Sequence, residues 1–254
     1  MDLGLRDRRA FVAAASKGLG FGCAQALAAE GAKVFISSRK AESIKAAAEK
    51  IGAVGWKSAD QGKPGEPEAA VTEAISKLGG LDILVVNSGG PPAGHFESTS
   101  LEQWETAHGL LLMGAIRLIR TALPELKKSG QGRIVIITSV TVRQPIPNLI
   151  LSNSVRAAVT GLAKTLSLDL GQFGITVNCL APDAVLTDRI RELAGGDAAQ
   201  VEASIKASAE RTPMRRMGTP EEFGAMCAFL CSKQAGFITG QTIGIDGGTL
   251  IGVH

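Results

Sequence analysis

The stretch Arg9-Ala10-Phe11-Val12-Ala13-Ala14-Ala15-Ser16-Lys17-Gly18-Leu19-Gly20 decides the fold. Arg9 to Ala15 reads as a strand, and a helical stretch from about Leu19 to Glu30 follows it directly. Ala13 to Gly20 is then a strand-to-helix turn that offers backbone N–H groups and a helix N-terminus to an anion. A Gly-x-Gly alone is common. Its place after the first strand and at the head of the first helix points to a dinucleotide. Two cations sharpen this reading: Lys17 inside the turn, and Arg39 after Ser38 at the end of a second strand, Lys33 to Ser38. An acid at that second position takes a ribose 2′-hydroxyl, whereas Arg39 suits a 2′-phosphate and hence NADP(H). Surface charge is the alternative for either cation.

Outward from this turn, short apolar runs alternate with longer helical periods. Ala41 to Ile51 reads as helix and Val54 to Ala59 as a weak strand. Gly62 to Pro67 is a loop, and a helix then runs through Leu78. Asp82 to Asn87 is a buried strand, short, apolar and β-branched. Leu101 to Lys128 reads as one helix that Pro124 bends or ends. Arg133 to Ser139 is the next strand. Val155, Val159, Leu162, Leu166 and Leu170 then mark one face of a long helix. Gly174 to Leu180 and Thr242 to Asp246 close the strands. The alternation predicts an α/β fold: a doubly wound parallel sheet of the Rossmann type, one domain over residues 1–254. The least regular stretch, Pro182 to Gly218, is either a substrate flap or a plain surface excursion.

Composition mostly excludes. The 254 residues carry 27 Lys+Arg against 24 Asp+Glu, and the net charge of +3 is spread too evenly for a nucleic-acid surface. The best membrane candidate, Leu110 to Ile119, is short and broken by Arg117. Met1 to Asp7 lacks the apolar core of a signal peptide. Cys23, Cys179, Cys227 and Cys231 have no metal-ligand spacing, so no metal is expected; reduced core thiols fit a cytoplasmic chain. One count matters most: the chain has 0 tyrosines. No phenol is available as a proton donor.

Taken in order, these segments resemble the short-chain dehydrogenase/reductase family over nearly the whole chain. Its Thr-Gly-x-x-x-Gly-x-Gly turn looks like Ala13 to Gly20, with alanines at the first two places; Ser16, Lys17, Gly18, Leu19 and Gly20 would hold the cofactor phosphates. Asp60, with Gln61 beside it, matches the acid that holds the adenine. Asn87-Ser88-Gly89-Gly90 looks like the Asn-Asn-Ala-Gly motif, which places Asn87 and Gly89 at the cofactor. Ser139 matches the catalytic serine. Asn178, followed by Pro182-Asp183-Ala184-Val185-Leu186-Thr187, is similar to the segment that holds the nicotinamide carboxamide, through Pro182, Val185 and Thr187. Arg211 to Glu222, Ile238 to Gly240 and Asp246 to Gly248 are most similar to β-ketoacyl-carrier-protein (3-oxoacyl) reductases. The resemblance also implies a homotetramer built on two long helices.

The pattern breaks at one place. The family carries Tyr-x-x-x-Lys about 13 residues beyond its serine, and that spacing from Ser139 lands on Ser152, with Arg156 four further on. The two share a helix face. The family's helix asparagine falls at Leu111. A tyrosine can give a proton to a developing alkoxide at neutral pH. Serine is far less acidic, and Arg156 holds or stabilises an anion better than it donates a proton. The expected catalytic set is therefore Ser139, Ser152 and Arg156, with Arg156 also at the ribose and a water as proton source. His95, in the loop after the fourth strand, or His108 on the next helix are the other acids to weigh; each is also an ordinary surface or packing histidine, and His254 is terminal. Arg143 is an anion ligand or a loop charge, and Asp183 a loop cap or a charge that tunes the site. Trp104, Met113, Met214 and Met217 read as packing residues.

The function expected from all this is an NADP(H)-dependent oxidoreductase acting on a small or medium carbonyl or imine. The alternative is a catalytically impaired cofactor-binding sensor or assembly subunit. A lyase or hydrolase finds no Ser-His-Asp order or metal cluster to support it.

Overall fold

Alternating apolar residues build the sheet from the inside. In a computed structural model that describes residues 2–253, Phe11 stands beside Phe35 and Leu84 on neighbouring strands, and Leu84 stands beside Ile134. The strands are β1 (Arg9–Val12), β2 (Lys33–Ser38), β3 (Gly55–Ser58), β4 (Ile83–Val86), β5 (Arg133–Ile137), β6 (Thr176–Pro182) and β7 (Thr242–Ile245). All pair in parallel, in the order β3-β2-β1-β4-β5-β6-β7. Order reverses between β1 and β4, so the crevice at their carboxyl ends is where such a sheet takes ligands.

Because side chains alternate along a strand, each face has its own core. Phe11, Phe35, Leu84, Ile134, Ile136 and Val177 meet α3 (Glu66–Leu78), α5 (Gly114–Ser129) and α6 (Ile150–Leu170). Val12, Ile36, Ile83, Val85 and Val135 meet α1 (Gly18–Ala29), α2 (Ala41–Ile51) and α9 (Pro220–Cys231). Backbone is very close between α1 and α9: a Cβ on Gly22 would lie 2.2 Å from the Pro220 carbonyl oxygen, and one on Gly224 2.2 Å from that of Gly22. Cys23, Cys227 and Cys231 are buried in this seam.

The helix expected over Leu101 to Lys128 is present, as α4 (Leu101–His108), a π turn (Gly109–Met113) and α5 without interruption. Pro124 does not end it but sits inside α5. Pro124 removes one N–H that would pair with the carbonyl of Arg120, and Arg120 is on the solvent side, where water can replace it. Pro182 to Gly218, expected to be irregular, holds α7 (Asp188–Ala194) and α8 (Ala198–Arg211). Met214, expected to pack, is 59% exposed. His254 lies outside the described residues. Among the described residues no helix is long and apolar enough to cross a membrane, and no three His, Cys, Asp or Glu gather as a metal site.

Candidate functional site

The turn after β1 is held from both sides of the sheet. Ala13 N–H donates to the Val85 carbonyl at 3.0 Å, and Ala15 N–H to that of Ser37 at 2.9 Å. Ala14 between them has φ +49°, a left-handed backbone that favours glycine. Asn87 Nδ2 donates to the Ala14 carbonyl at 3.1 Å, tying the β4 loop to the turn. Gly20 fits beneath: a Cβ there would lie 2.5 Å from the Ala14 oxygen and 2.6 Å from Asn87 Nδ2. This is a cradle open only to a glycine. Ser16, Lys17, Gly18 and Leu19 line the way from this cradle into α1.

Lys17 does not point freely into the crevice. Its Nζ pairs with Asp188 Oδ2 at 3.0 Å and Glu192 Oε1 at 3.4 Å, both on α7. Thr187, just before α7, comes against the turn, its Cγ2 3.5 Å from where a Cβ of Gly18 would be. Arg39 is exposed at the end of β2 and has no carboxylate within ion-pair distance among the described residues. Its Nη2 is 3.8 Å from where a Cβ of Gly89 would stand. Ser37 and Ser38 are buried with hydroxyls that have no hydrogen-bond partner. Asp60 is half-buried, its Oδ1 accepting from Gly62 N–H at 3.0 Å. Gln61 is buried instead, and its amide lines a cavity with Asn87 and Arg156.

At the neighbouring strand ends, Ser139 follows β5 and caps a short 3₁₀ turn, its Oγ accepting from Thr141 N–H at 3.2 Å. Ser152 lies half-buried in the first turn of α6. One turn later, Arg156 Nη1 donates to the Ile137 carbonyl at 3.0 Å, so the long helix is pinned to the carboxyl end of β5. Burial, and then the like charge of Arg189, lower the Arg156 guanidinium to about 10. It remains a cation at neutral pH. Leu111, matched in the sequence to the family's asparagine, is buried with Leu151 and Val155, and Trp104 packs against them.

The segment from Pro182 leaves and returns at one point. Leu186 N–H donates to the Gly218 carbonyl, and Gly218 N–H to that of Ala184, each at 2.9 Å, bridging Val185 to Gly218. Between these ends α7 lies against the turn after β1 through the Lys17 pairs. Arg189 reaches across to the Pro91 carbonyl at 2.6 Å, beside Gly90. Arg189 was not among the sequence candidates; nothing in its local pattern separates it from a surface charge. Asp183 accepts from Thr249 Oγ1 at 2.8 Å and so ties down the C-terminal loop. Asn178 is engaged with the main chain of Ile238 and Gln241. Arg143 donates to the Thr242 carbonyl at 2.6 Å, over β7. His95 is exposed, and His108 faces an outer groove with Trp104 and Ser154.

The chain matches, over residues 13–249, the family model described as Enoyl-(Acyl carrier protein) reductase. It is 35% identical over 251 residues to a Bos taurus protein named Dehydrogenase/reductase SDR family member 4, covering 97% of this chain and 88% of that protein. A Sarocladium schorii protein, Oxidoreductase asL5, is 32% identical, with 96% of each chain covered. Among solved structures, the L-sorbose reductase of Gluconobacter frateurii, complexed with NADPH and L-sorbose, superposes with a TM-score of 0.92 at 29% identity and full coverage of both chains. An NADPH-dependent reductase involved in bacilysin biosynthesis superposes at 0.91, again at 29% identity, covering 97% of this chain and 99% of the other. With the sheet order, the glycine cradle and these full-length matches in agreement, the chain belongs to the short-chain dehydrogenase/reductase family of oxidoreductases.

Proposed function

We propose that this chain is an NADP(H)-dependent oxidoreductase of small or medium carbonyl or imine substrates, working through an atypical Ser139, Ser152 and Arg156 site. One observation carries the reading: the crevice that holds the glycine cradle also has Arg39, an exposed cation with no carboxylate partner among the described residues, across from Gly89. A 2′-phosphate supplies the partner Arg39 lacks. That the Gluconobacter frateurii and bacilysin-pathway structures are NADPH-bound or NADPH-dependent supports the same cofactor here. The residues fit it. Ser16 to Gly20 take the phosphates, the Asp60 side chain and the main chain at Gln61 the adenine, Asn87 and Gly89 the inner ribose, and Pro182, Val185 and Thr187 the carboxamide.

When bound, NADPH supplies the hydride. The chain's own residues then bind and polarise. Ser139 and Ser152 hydroxyls donate to the substrate oxygen, and Arg156 stabilises the negative charge that develops there. A serine does not replace the acidity of the missing phenol, so the proton comes from water. Without a good general acid, turnover falls by roughly 10²- to 10⁴-fold relative to a site that has one. Residues 182–218 act as the flap over this site, since their ends meet at Val185 and Gly218. The α4 and α6 faces, with Trp104 and Ser154 along an open groove, form the contact of a homotetramer in the cytoplasm.

Fluorescence titration with NADPH and NADH tests the cofactor, and equal or absent binding refutes it. A carbonyl and imine panel with NADPH tests catalysis. Ser139→Ala and Arg156→Ala are each expected to slow turnover; if neither does, the site assignment is wrong. Tight NADPH binding without consumption on any substrate would make the chain a sensor or assembly subunit.

A further inference from the structure

Gln61 follows β3 and is 4% exposed, yet among the described residues neither its Oε1 nor its Nε2 has a hydrogen-bond partner. A buried amide left unpaired is destabilising, and such groups in native proteins usually answer to an ordered water or a ligand. The backbone leaves Gln61 little freedom to find protein partners. Gly114, where the π turn joins α5, is so close that a Cβ on it would lie 2.8 Å from the Gln61 carbonyl oxygen. Gln61 lines the narrow cavity between the ends of β4 and β5 and the π turn. Leu110 and Leu111 form its apolar wall, and Gln61, Asn87 and Arg156 its polar one. The cavity measures about 10 Å³, room for a single water.

Arg156 supplies the complement. A guanidinium has five N–H donors and no acceptor, and among the described residues Arg156 makes one hydrogen bond to protein, to the Ile137 carbonyl. An amide acceptor without a donor and a half-buried cation with donors to spare therefore line one water-sized space. A water there accepts from the guanidinium and donates to Gln61 Oε1, giving the amide oxygen a donor and the cation one more acceptor.

We propose that Gln61 is a positioning residue for Arg156: its amide holds one buried water that bonds the guanidinium and keeps it directed at the reacting oxygen beside Ser152. The water site stands on the cavity and the unpaired amide alone; its effect on turnover rests on the proposed oxidoreductase activity. No bond is made or broken at Gln61.

The test is a crystal structure of the wild-type protein at a resolution that shows waters, paired with Gln61→Met, which keeps the length of the side chain without its amide. A water within hydrogen-bond reach of Gln61 and Arg156 is expected in the wild type. In Gln61→Met it is expected to be lost and the guanidinium to shift. With NADPH and a substrate, Gln61→Met is expected to lower kcat about tenfold, the scale of one hydrogen bond to a charged group, with KM and NADPH affinity within about twofold. Gln61→Glu, which keeps the acceptor, is expected to restore most of kcat. Should Gln61→Met fail to fold, the wild-type crystal and Gln61→Glu still decide. A wild-type amide bonded only to protein groups overturns the proposal, as does a Gln61→Met variant with an unmoved Arg156 or unchanged kcat. If the wild type turns over nothing, the functional reading falls, and the water and the Arg156 shift are still read from the crystals.

Discussion

At the scale of single residues, two positions stand where chemistry and backbone disagree. Ala14 holds φ +49° because the turn is bonded to β4, β2 and Asn87 around it. A left-handed alanine is strained by about 1 kcal/mol relative to glycine. Ala14→Gly is expected to stabilise the protein by roughly that amount, raising Tm by about 2–4 °C in a thermal melt. The other position is Ser152. It stands on α6 one turn before Arg156, where the proposed reading places the family's phenol. Ser152→Tyr combined with Arg156→Lys is expected to raise kcat about 100-fold or more on a carbonyl substrate. A double variant that binds NADPH but gains no turnover would show that the proton does not enter at this place. Arg39 acts at this scale too: Arg39→Ala is expected to weaken NADPH binding about 10- to 100-fold and leave NADH unchanged, read by fluorescence titration.

At the scale of elements, the turn after β1 depends on how closely α9 backs α1. Gly22 and Gly224 let the two backbones touch, and either Cβ would overlap a carbonyl oxygen. Gly224→Ala is expected to destabilise by about 1–3 kcal/mol, measured by urea denaturation, as the helices part. Cofactor affinity should fall with it, because α1 carries the turn on its first residues. Element identity was largely legible: β2 and α2 have the bounds that their apolar and alanine-rich patterns suggest. The π turn was not, since Gly109-Leu110-Leu111-Leu112-Met113 has the periodicity of ordinary helix. Its extra residue answers to packing: Gly114 sits against the Gln61 backbone while Leu111 reaches Leu151 and Val155. Nor were α7 and α8 legible as separate helices in a charged, alanine-rich run without an apolar stripe.

At the scale of the whole molecule, the two central strands are stapled at their amino-terminal ends, opposite the crevice. Asp82, at the start of β4, takes Arg9 Nη2 at 2.7 Å and Arg9 Nε and N–H at 2.9 Å each. Burial alone would raise this carboxyl, but the Arg9 hydrogen bonds outweigh it and bring it down from 3.8 to about 2. The depressed value means that the charged form is favoured by folding, by about 2 kcal/mol. That stability is present above the unfolded value near 4 and is lost as pH falls through about 2. Asp82→Asn is therefore expected to lower stability by about 2 kcal/mol at pH 7, and the gap to the wild type should close between pH 4 and 2. Denaturant midpoints across that range check this, and an unchanged gap refutes it. The sequence by itself determined the doubly wound sheet, the glycine cradle and the absence of a phenol where Ser152 stands, because strand and helix periods and motif spacing are local properties of the chain. Only the tertiary structure decided that Lys17 turns to α7, that Arg189 crosses to Pro91 and that Gln61 and Arg156 share one cavity. Those directions are set by residues distant in sequence that pack around each side chain, and no local period records them.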